Sequence, residues 1–325
     1  MNTIAKFGLG LAALGRPGYI NIGHGEDLEE DYSVPAMESR AHAVLDAAWD
    51  SGVRYFDCAR SYGRAEEFVR NWLLAKGMSP EDVSIGSKWG YTYTADWKVH
   101  TRDGVAHEVK RHELDLLQNQ YLTSVELLGP HLKLYQIHSA TRESGVLEND
   151  DVLAQLRTIK QTGMQIGISV SGPSQADTID QAVAIDYEGV RLFDSVQATW
   201  NLLETSAGHS LRSAHESGLK VIVKEGVANG RLTSRNNDPE FEGKLLLLQA
   251  IAAERETSVD ALALAAVVNQ PWVTTALSGV STVDHLQSNL SAANVLWNDE
   301  LAQKLEPLVE PPQEYWRRRG ELAWN

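Results

Sequence analysis

The stretch 52–88, GVRYFDCARSYGRAEEFVRNWLLAKGMSPEDVSIGSK, decides the fold. It opens on a short apolar run, GVRYFDC at 52–58, and closes on another, VSIGSK at 83–88. Both have the β-branched or aromatic content of buried strands. Between them residues 65–76 read as a helix that stops at Gly77, since glycine readily takes the left-handed conformation that ends helices. Strand, helix and strand in this order point to a parallel crossover unit.

The same unit repeats outward in both directions. Further strands are expected at 4–10, 132–138, 165–169, 192–199, 219–224 and 272–278. Strict alternation is weak in several, as happens when helices cover one side of a sheet and a packed interior fills the other. After Pro35, the residues Met37, Ala41, Val44, Leu45 and Ala48 fall on one helical face. Val152, Leu153, Leu156 and Ile159 repeat that spacing. Residues 105–123 read as a longer helix, and Ser174 with Asp177 has capping-box spacing ahead of Ile179. Eight strands separated by helices favour a single α/β domain over 1–325, a (β/α)8 TIM barrel with large loops at its C-terminal face. The first strand lacks a dinucleotide fingerprint: Gly8-Leu9-Gly10 is a fragment, with Ala13 where the third glycine would stand. That disfavours a two-domain Rossmann arrangement.

The chain of 325 residues is 43% hydrophobic and carries a formal net charge of -15. Such a charge argues against nucleic acid or an anionic membrane as the main partner. No run of 18 apolar residues exists, which argues against a membrane span. Residues 7–15 have the apolar look of a short signal core, yet they are glycine-rich and read better as a strand and its loop. Cys58 is the only cysteine, which excludes an internal disulfide and a cysteine-built metal site and suits a reducing cytoplasm.

Barrel active sites form on the loops after the strands. Here the long ones are 11–35, 89–104, 139–149 and 225–243. The polar part of the last, 231–243, is expected to move over a bound ligand. Asp57, Lys88 and His138 end three successive expected strands, with Tyr62 five residues beyond Asp57. Taken singly, each has an ordinary explanation: Asp57 a helix cap, Tyr62 a loop anchor, Lys88 a rim charge, His138 a core histidine. Together at one barrel mouth they suit carbonyl reduction, which needs hydride at carbon and a proton at oxygen. Tyr62 would give the proton, Lys88 would lower the phenol pKa, Asp57 would orient Lys88 and keep it charged, and His138 would donate to the carbonyl oxygen. The aromatic loop Trp89, Tyr91, Tyr93 and Trp97 follows, and Trp89 is expected to line the substrate pocket.

These blocks resemble the aldo-keto reductase family. YFDCARSYG at 55–63 is similar to its aspartate and tyrosine block, IGSKWG at 85–90 to its lysine block, and LYQIHS at 134–139 to its histidine block. The resemblance implies a (β/α)8 barrel and reversible carbonyl reduction with NADPH or sometimes NADH. It implies nicotinamide contacts at Ser169, in IGIS at 166–169, and at Gln197. Asn201 matches a frequent asparagine of that block but reads as a turn residue. In VIVKEGVANGRL at 221–232 the family's usual stacking aromatic is replaced by Lys224, expected at the cofactor either paired with Glu225 or approaching the cofactor phosphate, and Gly230 matches a glycine beside the pyrophosphate. In SGVSTVDHLQSNL at 278–290, Gly279, Ser281 and Asn289 match the adenosine-phosphate grip, and His285 stands at a common basic position. Neither Arg nor Lys lies between Val280 and Leu290, so only a modest NADPH preference is expected, with Arg231 or Arg235 able to reach in. The tail 311–325 reads most simply as a solvated, charged helix, the alternative being that Tyr315, Trp316, Arg317, Arg318 and Arg319 cap the barrel or touch a neighbouring subunit. The leading function is an NAD(P)-dependent oxidoreductase acting on a small aldehyde, ketone or alcohol, with sugars and aromatic carbonyls among the candidates. The alternative is a cofactor-binding regulatory or partner protein on the same barrel.

Overall fold

In a computed structural model, which describes residues 3–102 and 104–325, eight parallel strands close into a barrel. They are β1 (Phe7–Gly10), β2 (Tyr55–Asp57), β3 (Ser84–Trp89), β4 (Leu132–Ala140), β5 (Gln165–Val170), β6 (Ser195–Thr199), β7 (Lys220–Lys224) and β8 (Thr275–Gly279). Each pairs in parallel with its sequence neighbours, and β8 closes onto β1 through Phe7–Ala276 and Leu9–Ser278. All eight expected strands are present.

The helices fall between them: α1 (Val34–Asp50), α2 (Ala65–Lys76), α3 (Leu114–Leu128), α4 (Asp150–Gln161), α5 (Gln175–Val183) and α6 (Gly208–Glu216). Two helices, α7 (Glu242–Glu254) and α8 (Val259–Val268), separate β7 from β8. After β8 come α9 (Val283–Leu290), α10 (Asp299–Leu305) and α11 (Pro312–Gly320). The periodic residues of α1 and α4 are the buried ones, as their spacing requires. Every residue of α8 except Asp260 is buried, so this helix is apolar all round and lies inside the molecule.

Two local expectations fail. Residues 105–123 are not one helix: Glu108–Lys110 pairs antiparallel with Tyr91–Tyr93, and α3 starts only at Leu114. Val105 and Val109 are exposed, so the expected apolar face has nothing to bury at that end. Ser174 occupies the N-cap of α5, but its side chain makes no capping hydrogen bond.

Alternation along the strands sets what the barrel holds. Tyr55, Leu134, Ile222 and Leu277 pack together as an inner apolar floor. One step further along β2, β3, β4 and β6 stand Asp57, Lys88, Gln136 and Gln197, a polar layer on that floor. The neighbouring side chains Phe56 and Trp89 point outward into the larger core between barrel and helices.

Candidate active site

Asp57 is the hub of the polar layer. Its Oδ1 accepts from Tyr55 Oη at 3.0 Å, Gln197 Nε2 at 3.1 Å and Gln136 Nε2 at 3.3 Å. Its Oδ2 pairs with Lys88 Nζ. Lys88 is fully buried, and it also donates to the Cys58 carbonyl at 2.8 Å and to the Tyr62 hydroxyl at 3.3 Å. A buried ammonium held by a carboxylate and a carbonyl has its charge compensated in place.

A close fit of two loops positions Tyr62. Gly63 has φ of +56°, and a Cβ there would come within 2.4 Å of the Gly15 carbonyl oxygen. That same carbonyl accepts from Arg64 N at 2.8 Å. The glycine lets the turn after Tyr62 press on the loop after β1. Arg16, buried in that loop, lies 5.4 Å from the Tyr62 ring centroid and donates to Ser61 O at 3.0 Å and Glu108 Oε2 at 2.7 Å.

His138 completes the group. Its ring meets the Tyr62 ring edge-on, with centroids 5.5 Å apart, and the Tyr91 ring at 4.8 Å. Ser139, next along, has φ of +52°, and the register of β4 against β5 slips between Ile137 and Ala140. This irregularity lies where the strand leaves the barrel, as bulges beside active sites do. The His138 Nδ1 is buried with no hydrogen-bond partner among the described residues. Asp57, Tyr62 and His138 line one pocket of about 270 Å³, with Lys88 directly beneath.

The electrostatics differ from expectation at Tyr62. Burial first, then the Asp57 charge, pushes its phenol well above the usual tyrosine range, while Arg16 pulls the other way. The expected lowering of the phenol is not seen, because burial and Asp57 outweigh the cations around it. The phenol therefore holds its proton at neutral pH, the state a proton donor needs. Burial, followed by the charges of Lys88, Lys224 and Arg16, holds His138 well below its ordinary value. It is a neutral imidazole with a single N–H to donate.

The aldo/keto reductase family profile matches residues 20–310. The chain belongs to the aldo/keto reductase family. It is similar to an uncharacterized oxidoreductase, YqkF, of Bacillus subtilis, at 24% identity over 81% of this chain and 85% of that one. The L-glyceraldehyde 3-phosphate reductase of Escherichia coli O157:H7 is 26% identical, over 97% of this chain and 94% of the relative. Among solved structures, an aldo-keto reductase from Bacillus halodurans in its holo form superposes with a TM-score of 0.68 at 19% identity, covering 94% and 92% of the two chains. These findings make the protein an oxidoreductase of the aldo/keto reductase type on a (β/α)8 barrel.

The expected cofactor contacts of this aldo/keto reductase are only partly brought together. Gln197, Lys224, Gly279 and Asn289 line the pocket. Asn289 Nδ2 donates to Ser278 Oγ at 2.9 Å, and Gly279 would leave open space around a Cβ. Ser169 is buried behind the pocket, where its Oγ accepts from Ser139 N at 3.3 Å. Ser281 Oγ is 3.0 Å from His24 Nδ1. Gly230, at φ of +90°, is packed under Ile22, where a Cβ would come within 2.9 Å of the Ile22 Cβ. His285 is part-exposed, its Nδ1 3.7 Å from Asp27 Oδ2. Asn201 is a turn residue whose Oδ1 accepts from Leu203 N and Glu204 N.

Three readings need correction. Trp89 does not line the pocket: its side chain is fully buried in the outer core against the His112 ring. Lys88 faces the barrel interior, and alternation sends the next residue outward. Tyr91, two residues on, takes the place in the pocket. Arg231 and Arg235 do not reach inward as free cations. Arg231 makes a two-pronged pair with Glu310 at 2.7 and 2.9 Å, and Arg235 binds Asp27 Oδ1 at 2.7 Å and Gly23 O at 2.9 Å. The latter pair ties the 231–243 segment to the loop after β1. Finally, the tail is a charged and partly exposed helix, as expected, but it is also anchored at the barrel mouth. Tyr315 is buried, Arg319 reaches Glu225 beside the pocket, and Asn325 pairs with Tyr19 through two backbone hydrogen bonds. Trp324 stacks on His107 at 4.0 Å and lines the pocket with Arg319. Arg16, Glu225, Arg319 and Trp324 were not foreseen as site residues; all four lie in loops or the tail rather than at strand ends.

Proposed function

We propose that this aldo/keto reductase reversibly reduces an aldehyde or ketone to the alcohol with NADPH or NADH, Tyr62 being the proton donor. The observation that carries the reading is the Tyr62 hydroxyl 3.3 Å from Lys88 Nζ, in the pocket that His138 also lines. The donor set suits a nicotinamide cofactor: an amide at Gln197, an unhindered glycine at Gly279, an amide at Asn289 and an unpartnered buried imidazole nitrogen at His138. The chemistry such a cofactor supplies when bound is hydride at the carbonyl carbon. The chain's own part is the proton and the charge. Neutral His138 donates its N–H to the carbonyl oxygen and holds it beside Tyr62. As negative charge grows on that oxygen, Tyr62 passes its proton across, and the nearby Lys88 ammonium steadies the phenolate left behind. Asp57 keeps Lys88 in that place. Gln197, Gly279 and Asn289 are the residues we assign to holding the cofactor, with Ser169, Ser281, His285 and Gly230 supporting the loops around them. Asp27 beside His285 weighs against strong selection for a 2′-phosphate. Turnover of a broad aldehyde panel with each cofactor, wild type against Tyr62→Phe, tests the proposal. An inert wild-type protein that binds cofactor would instead favour a regulatory role.

A further inference from the structure

Charge around the pocket is paired almost throughout. Lys88 faces Asp57, Arg16 donates to Glu108 at 2.7 Å, and Arg319 grips Glu225 Oε1 at 2.7 and 3.0 Å. Lys224, at the end of β7, is the most loosely paired cation, sharing the single Glu225 carboxylate with Arg319. The carboxylate oxygen it faces is Glu225 Oε1 at 3.7 Å, the oxygen Arg319 already holds. Its one close polar partner is Thr199 Oγ1 at 3.0 Å, which takes a single proton of three. The Lys224 side chain is only 15% exposed, and what is exposed faces the pocket.

A buried ammonium without its own counter-ion is disfavoured unless something compensates it. Glu225 does not suffice, because one carboxylate there serves two cations. Its backbone is also held in the left-handed region, at φ of +57°, a strained setting for a residue with a side chain. Burial draws Lys224 down; Glu225 opposes this, Arg319 and Lys88 reinforce it, and the outcome is about 8. The amine thus stays mostly charged at neutral pH. Its charge is felt at His138, where it helps keep the imidazole neutral.

We propose that Lys224 seats an anionic group of the carbonyl substrate, a carboxylate or a phosphate, so that oxo acids or phosphorylated aldehydes are preferred over neutral carbonyls. This rests on the reductase reading above. Lys224 supplies the charge, and His138 and Tyr62 receive the carbonyl end of the same molecule. A charge-assisted contact of this kind favours the anionic substrate by roughly 10- to 100-fold.

The test uses the cofactor-saturated enzyme and matched pairs: 4-oxobutanoate against butanal for a carboxylate, and glyceraldehyde 3-phosphate against glyceraldehyde for a phosphate. Wild type is expected to prefer the charged member of at least one pair, and which pair identifies the anion. Lys224→Met should erase that preference and Lys224→Arg should keep it. Methionine matches lysine in length, and Glu225 keeps its Arg319 partner, so K224M is expected to fold. The preference should also fade as pH rises through about 8, because the neutral amine has no charge to offer. Glu225, Arg319, Lys88 and His138 are the ionisable groups facing it; Glu225 is held down to about 2, His138 well below its ordinary value and Arg319 above its own, so none of these three titrates near 8. Equal kcat/KM for charged and neutral partners in wild type overturns the proposal. So does a preference that survives in K224M, or a K224M effect confined to cofactor affinity. If even butanal and glyceraldehyde are inert, the reductase reading has failed. Calorimetric titration with butanoate and inorganic phosphate then decides the inference: binding weakened at least ~10-fold in K224M supports it, and equal binding in both proteins rejects it.

Discussion

Lys88 Nζ lies 3.3 Å from the Tyr62 hydroxyl, yet its closest contact is with Asp57 beneath. In the proposed mechanism the lysine therefore receives a phenolate as it forms rather than creating one in the resting enzyme. The buried pair has a stability signature. Lys88→Met leaves the Asp57 carboxylate without its cation and is expected to cost about 3–5 kcal/mol, as loss of one partner of a buried ion pair does. Asp57→Asn should cost a comparable amount. The double variant should lose clearly less than the sum, measured by urea denaturation. Additive losses would mean the two groups are not coupled.

Much of this was legible in the chain, and the parts that were not share a cause. Each barrel strand is a local apolar run, and Asp57, Lys88 and His138 sit at strand ends, where position follows from sequence. Trp89 was also within reach: once Lys88 is assigned inward, alternation sends its neighbour outward. The hairpin 91–93 with 108–110 was not, because its pairing is non-local and residues 105–109 carry a helix-like pattern by themselves. The tail misled for the same reason. Arg318 and Arg319 look solvated until Glu240 and Glu225, 94 residues before Arg319, are brought against them by the fold, while Arg317 keeps only local partners. Arg231 and Arg235 likewise have partners far along the chain, at Glu310 and Asp27.

A volume-reducing change at Trp89 tests its placement. Trp89→Ala should cost about 3–5 kcal/mol, since a large buried ring leaves a cavity. The KM for a small aldehyde should stay within about twofold, because the side chain does not face the pocket. A raised KM with unchanged stability would return Trp89 to the substrate.

The pH profile follows from Tyr62 and His138. The phenol is held well above its usual value and stays protonated; the imidazole is held well below its own and stays neutral. Neither changes state across the neutral range. For reduction of an uncharged aldehyde, kcat/KM should be flat from about pH 6 to about pH 7.5. A limb near the ordinary histidine value of roughly 6.5 would contradict a neutral His138.

Glu225 adds an acid-stability signature. Burial alone would raise it, but Arg319 and Lys224 bring it down to about 2 from 4.5. A depressed carboxylate contributes stability that is fully present above its unfolded value and is lost as pH falls through the folded one. Stability should therefore drop between about pH 4.5 and about pH 2, and Arg319→Gln should shrink that drop. An unchanged acid transition in R319Q would rule the pair out as its source.

In the proposed reading, cofactor choice depends on Asp27. Its Oδ2 is buried, has no hydrogen-bond partner among the described residues, and sits 3.7 Å from His285 Nδ1. Even paired with Arg235 at 2.7 Å, a carboxylate there is expected to disfavour a 2′-phosphate bound beside it. Both cofactors should support turnover, with kcat/KM differing by less than ~1,000-fold, about 4 kcal/mol. Asp27→Asn should shift the ratio toward NADPH by about fivefold, the worth of one screened charge. No shift in D27N would place the phosphate elsewhere.

The most direct measurement is single-turnover reduction of an aldehyde by Tyr62→Phe, with cofactor binding followed separately by fluorescence. Expected are intact folding, intact cofactor affinity and a hydride-transfer rate at least ~100-fold below wild type, the lower range for a positioned acid. A rate near wild type, with a deuteride isotope effect confirming that chemistry is being timed, would show that Tyr62 is not the proton donor.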